Sequence, residues 1–173
     1  NDTEVNAILK NLYETNFFKD IKVEFKDNIL NIQVTENPLV YNIEFDELKS
    51  KKIQKIILEN INLKERSSYI ETSIIEDKNK INSILRNMGY FFSKVEIIKE
   101  DVGDNKLNLI IDVELGKKAK IKKISFIGDK IFKDRKLNSI IVSEEYKFWK
   151  FLSGKKYLNE NAINLDSRLL KNF

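Results

Sequence analysis

Apolar residues at Val5, Ile8, Leu9 and Leu12 recur at i, i+3, i+4 and i+7, which places one apolar stripe on an amphipathic helix with Asp2 or Thr3 as its candidate N-cap. The period then changes from helical to alternating. Residues 17–37 read as a strand, a turn-forming cluster and a second strand, and residues 90–115 repeat that order. In the second hairpin Val95 and Ile97 share a face with Leu107, Leu109, Ile111 and Val113, and Gly103, Asp104 and Asn105 supply the turn. Asn108 and Asp112 point to the other, wetter side. Short strands are expected at 40–45 and 121–127. Each is followed by a helical pattern: Ser50 before Ile53, Ile56, Ile57 and Ile61, and Asp134 before Leu137, Ile140 and Ile141. Two further helices carry Ile81, Ile84, Leu85 and Met88, with a Ser73/Glu76 capping box and Gly89 at C′, and Leu158, Ala162, Leu165, Leu169 and Phe173.

These elements form a repeat. ILKNL at 8–12, ILRNM at 84–88 and LLKNF at 169–173 each close a helix, and the first two lead into superimposable hairpins. The unit is β-α-α-β-β. Residues 1–36 then hold the end of a first unit, 37–115 a complete second, and 116–173 the start of a third that lacks its final hairpin. The two strands expected after LLKNF are absent from this sequence, so the last unit is expected to be frayed, exposed or completed by a neighbouring chain. Pro38 and Gly116 lie at the unit boundaries and are the candidate hinges, one with fixed φ and one with free φ. Linkers this short predict an articulated rod with limited hinge angles. The competing expectation is a single continuous α+β domain.

Composition narrows the chemistry. The 173 residues are 42% hydrophobic and 34% charged with one Pro and five Gly, a globular balance. The absence of Cys rules out disulfides and thiolate metal sites, and the absence of His removes imidazole acid–base catalysis, serine triads and nearly every zinc site. No stretch reaches the roughly 18 apolar residues of a spanning helix, and nothing resembles a signal peptide. The net charge of +4 permits a nucleic-acid partner without demanding one.

Individual motifs add little catalysis. Ser153-Gly154-Lys155-Lys156 matches S-x-x-K but lacks companion motifs, and Glu100, Asp101 and Asp104 fit turn chemistry better than a calcium loop. The expectation is no catalytic residue, no metal and no cofactor. Lysines at 117, 118, 120, 122 and 123 give the best case for RNA binding, yet they alternate around Ile121 and Ile124 as a wet strand face would. No nucleic acid is expected. In EEYKFWKFL, residues 144–152, the aromatics either cap a local core or present a partner-docking patch at Phe148, Trp149 and Phe151.

Serial β-α-α-β-β units with an apolar-Asn-apolar helix end, a GYF entry to the hairpin and a closing VELG resemble the POTRA domains of outer-membrane β-barrel assembly factors. The resemblance covers the whole chain. It implies a three-stranded mixed sheet backed by two helices, with the second strand at an edge. It also implies a non-enzymatic scaffold in the periplasm of a Gram-negative cell, attached to an outer-membrane barrel in the full-length protein. Its partners would be unfolded outer-membrane proteins, joined by strand addition, and accessory lipoproteins. The corresponding edges are Ile21, Lys22, Val23, Glu24 and Phe25, and Lys94, Val95, Glu96, Ile97 and Ile98. A POTRA arm of a two-partner secretion or translocation-assembly transporter is the alternative within the same fold.

Overall fold

The computed structural model describes residues 2–27, 29–128, 131–149 and 154–173. The chain divides into two compact units, the first comprising residues up to Lys78 with Glu96–Asp112, the second Asn79–Val95 with Val113–Phe173.

The first unit opens with α1 (Asp2–Glu14), β1 (Phe18–Lys26) and β2 (Ile29–Glu36). Its α1 stripe is half-buried at Val5, Ile8, Leu9 and Leu12, the spacing the sequence predicts. The two strands pair antiparallel, with Ile21 opposite Val34 and Val23 opposite Ile32. Ile21 is buried, whereas every residue of β2 is exposed. Next come β3 (Leu39–Asp46), α2 (Lys51–Asn60) and α3 (Glu71–Asn87), then β4 (Lys94–Gly103) and β5 (Lys106–Glu114).

These strands form a sheet of order β3-β5-β4, in which β3 runs parallel to β5. Parallel pairing of strands so far apart in sequence needs a crossover, and the two helices supply it. Alternation along the strands buries Val95, Leu109, Ile111 and Val113, while Ile97 and Leu107 are half-buried. Val40, Leu63, Tyr69 and Leu109 form one cluster, flanked by Ile43, Ile74, Ile97 and Leu107. The turn takes φ of 83°, 50° and 54° at Gly103, Asp104 and Asn105, a left-handed run for which Gly, Asp and Asn are the least costly residues.

Three local expectations change. Helix α3 starts at Glu71, so Ser73 lies inside its first turn and no capping box forms there. Asn108 and Asp112 lie on the outer face of the sheet as expected but are half-buried, and Asn108 Nδ2 donates to Glu100 at 3.3 Å. Asp134 is the first residue of α4 (Asp134–Asn138), not its cap; Lys133 holds the N-cap position.

In the second unit α3 ends at Asn87 and Gly89 takes φ +93°, with the Tyr90 amide donating back to the Leu85 carbonyl at 2.9 Å, a helix stop built on glycine. Ile81 and Leu85 are fully buried. A 3-10 turn at Gly154–Lys156 precedes α5 (Glu160–Lys171), whose Asn159 cap accepts from the Ala162 amide at 2.9 Å. The short strand expected at 121–127 does not form. An isolated bridge joins Lys120 to Tyr157 just before this segment, and at its first residue the Ile121 amide donates to the Lys156 carbonyl at 2.8 Å while the Ile121 carbonyl accepts from the Tyr146 amide at 2.7 Å. The edge strand β3 is held by β5 along its length, whereas 121–127 has no such partner strand among the described residues; an extended segment without a ladder is not a strand. Ile127 is accordingly 99% exposed.

Candidate interaction site

The sheet order leaves β4 paired on one side only, so its other side is an edge of unpaired amides and carbonyls. Of its candidate residues, Val95 is buried and Ile97 half-buried, whereas Lys94, Glu96 and Ile98 are exposed. Lys94 is tied to Glu114 at 2.9 Å, which raises the lysine pKa above its usual value, the charged hydrogen bond being the main cause. Strand β1 differs. Ile21 is buried, Val23 half-buried, and Lys22, Glu24 and Phe25 exposed, but the Ile21 amide is already taken by the Tyr13 hydroxyl at 3.3 Å. That contact occupies one donor an added strand would need.

Where α3 begins, three side chains lock together. The Tyr69 hydroxyl donates to Glu71 at 2.7 Å, and Lys99 of β4 reaches the same carboxylate at 3.1 and 3.3 Å while its ammonium lies 5.4 Å from the Tyr69 ring centroid. The tyrosine hydrogen bond first, then the lysine, holds the Glu71 carboxyl below the usual glutamate range. Burial, followed by the Glu71 hydrogen bond, pushes the Tyr69 phenol up, and Glu71 raises Lys99. No sequence signal singled out this group.

A second feature missed in the sequence is a carboxylate on the apolar stripe of each second helix. Asp77, fully buried, accepts the consecutive amides of Asn62 and Leu63, both at 2.8 Å. Asp166 accepts those of Val142 and Ser143 at 2.6 and 3.2 Å. The recurring Ile-x-x-Asp of Ile74–Asp77 and Ile163–Asp166 was the available signal. It shifts the buried line of α5 from Leu165, which is exposed, to Asp166.

The hinge candidates sit differently from one another. Pro38 is half-buried and its carbonyl accepts from Tyr69 at 2.7 Å; the residue making the matching bond in the second unit is Ala119, which accepts from Leu158 at 2.9 Å. By hydrogen bonding, Pro38 therefore corresponds to Ala119 and not to Gly116. Gly116 is exposed at φ +63° with open space around it. Three residues beyond it the Ala119 amide donates to the Gly89 carbonyl at 2.9 Å, and Asn87, the asparagine of ILRNM, accepts the Asn161 amide on its side chain at 3.0 Å and the Asn159 side chain on its carbonyl. Lys118 lies between the Tyr90 and Tyr157 rings at 5.0 and 5.3 Å.

Phe148 and Trp149 are 77% and 62% exposed and pack edge-to-face on each other at 4.8 Å rather than capping a core. Phe151 lies outside the described residues.

A free-edged three-stranded sheet of order β3-β5-β4 crossed by two helices defines a scaffold of the POTRA-like class. Residues 38–116 match the POTRA family, described as "Surface antigen variable number repeat". Along its length it is similar to the outer membrane protein assembly factor BamA: 27% identical to that of Neisseria meningitidis serogroup B over all of this chain and 22% of the relative, and 23% identical to that of Buchnera aphidicola over 98% of this chain and 28% of the relative. The chain thus spans about a quarter of these curated relatives. Among solved structures, Haemophilus influenzae BamA POTRA3-5 matches 95% of this chain and 66% of its own with a TM-score of 0.58 at 15% identity. Haemophilus ducreyi BamA lacking POTRA domains 1-3 matches 79% of this chain and 24% of its own at 0.57 and 20%.

Proposed function

We propose that this chain is part of the periplasmic arm of an outer-membrane β-barrel insertion machinery, a binding scaffold that receives unfolded barrel proteins by strand addition. The free edge of β4 carries the reading. An edge offers backbone hydrogen bonds to any extended segment, which suits clients that share β structure and not sequence. The exposed Lys94, Glu96 and Ile98 alternate with core residues there, and the charges discourage self-pairing while leaving the backbone accessible. The relatives being assembly factors favours this arm over that of a secretion transporter. Residues 1–36, 37–115 and 116–173 act as the end, the whole and the start of successive repeats, with Pro38 and Gly116 at their limits. Phe148 and Trp149 form the patch best suited to accessory lipoproteins, since paired exposed aromatics are typical anchors.

The test is a photo-crosslinker at Glu96 with an unfolded outer-membrane protein as client. An adduct at Glu96 that excess unlabelled client competes away, with the circular dichroism of the crosslinker-bearing chain unchanged, is the expected result. Adducts confined to other surfaces overturn it.

A further inference from the structure

On the helix-bearing side of the sheet a cleft of about 330 Å3 opens beside β4. Pro38, the Tyr69 ring and Leu107 give it apolar walls, and Lys19, Glu71 and Lys99 surround them. All belong to the first unit. Lys99 and Asp101 face this cleft, whereas Ile98 and Glu100 alternate to the outer face, the period-two geometry of a strand. A polypeptide pairing with the free side of β4 alternates in the same way, so its side chain beside Lys99 is directed toward the cleft.

We propose that the cleft is a side-chain subsite for the added strand and takes one aromatic residue of an unfolded polypeptide. This deepens, and rests on, the strand-addition reading of β4. The walls are already braced, because Glu71 is held by both Tyr69 and Lys99 and Asp101 accepts from the Gly103 amide at 2.8 Å. Lysines at 19 and 99 disfavour a basic side chain, and Asp101 disfavours an acidic one. An aromatic ring needs no hydrogen-bond partner, fills more of the volume than a short aliphatic chain and presents a negative face to the two ammoniums. The cleft therefore selects residue type at one position, while the edge accepts any backbone.

Two alternating threonine–valine peptides, identical except for phenylalanine or alanine at the central position, separate the possibilities. Each is titrated against the full 173-residue chain, with crosslinking from Glu96 reporting edge binding. The phenylalanine peptide is expected to bind about tenfold more tightly, the worth of partly burying one ring. Lys19→Trp, a change at an exposed strand position that fills the cleft, is expected to abolish that preference and leave the alanine peptide unaffected. Equal affinities with adducts at Glu96 overturn the subsite and leave strand addition standing. No adduct at Glu96 with either peptide overturns strand addition and the subsite with it.

Discussion

Asp77 shows how a single residue can be read two ways. By its position on α3 it belongs among Ile74, Ile81 and Leu85, where a charge would be an error of patterning. Its two oxygens instead end the chain's passage out of α2 by taking two amides that would otherwise be buried without partners. Asp77→Ala is expected to cost about 3 kcal/mol in urea unfolding, the penalty for two orphaned donors; Asp77→Asn, which keeps one acceptor, is expected to cost less. The helical stripes were legible because apolar spacing reports burial directly. The carboxylate was not, because its partners are backbone amides, which every sequence possesses and none displays. Glu71 is legible only through pH. Its depressed pKa means it contributes stability above the ordinary glutamate range and loses it as pH falls through the folded value. The difference in melting temperature between wild type and Glu71→Gln should be present at neutral pH and vanish in acid. Lys99 and Tyr69, both raised, contribute stability that disappears only as pH climbs past the usual lysine and tyrosine values.

Among elements, strands proved the less predictable. The sequence pattern of 40–45 and that of 121–127 are alike, yet one is β3 and the other carries no ladder. A helix closes its own hydrogen bonds, so α1, α3 and α5 could be recognised from local spacing; a strand exists only with its neighbour, and that neighbour is not written in the segment itself. Within the candidate site the β4 edge followed from the hairpin pattern once the sheet order was supplied by resemblance, while the Tyr69–Glu71–Lys99 group joins elements that no periodicity links. The Gly89 stop was legible for the opposite reason, since left-handed backbone writes glycine into the sequence. Gly89→Ala meets both a φ of +93° and the Tyr157 Cβ at 3.3 Å. It is expected to cost about 1–2 kcal/mol and to speed hydrogen exchange at Ala119 and Leu158, whose bonds converge on that turn.

For the molecule as a whole, the exposed apolar residues of β2, Ile29, Leu30, Ile32 and Val34, are a liability because they lie together on one strand. The isolated chain is expected to self-associate with rising concentration in sedimentation velocity, and Ile32→Lys, which adds charge to that strand, is expected to suppress it. Asp77 also bears on how the chain finds its fold. It meets Asn62 and Leu63 at separations of only 15 and 14 residues, whereas Asp166 must close spans of 24 and 23 to reach Val142 and Ser143. The shorter loop is cheaper to close by about 0.4 kcal/mol, a small bias that favours the central fastening first. Asp77 is then expected to carry a high φ-value in refolding and Asp166 a low one, with the residues fastened by Asp77 serving as the nucleus on which the later ones condense.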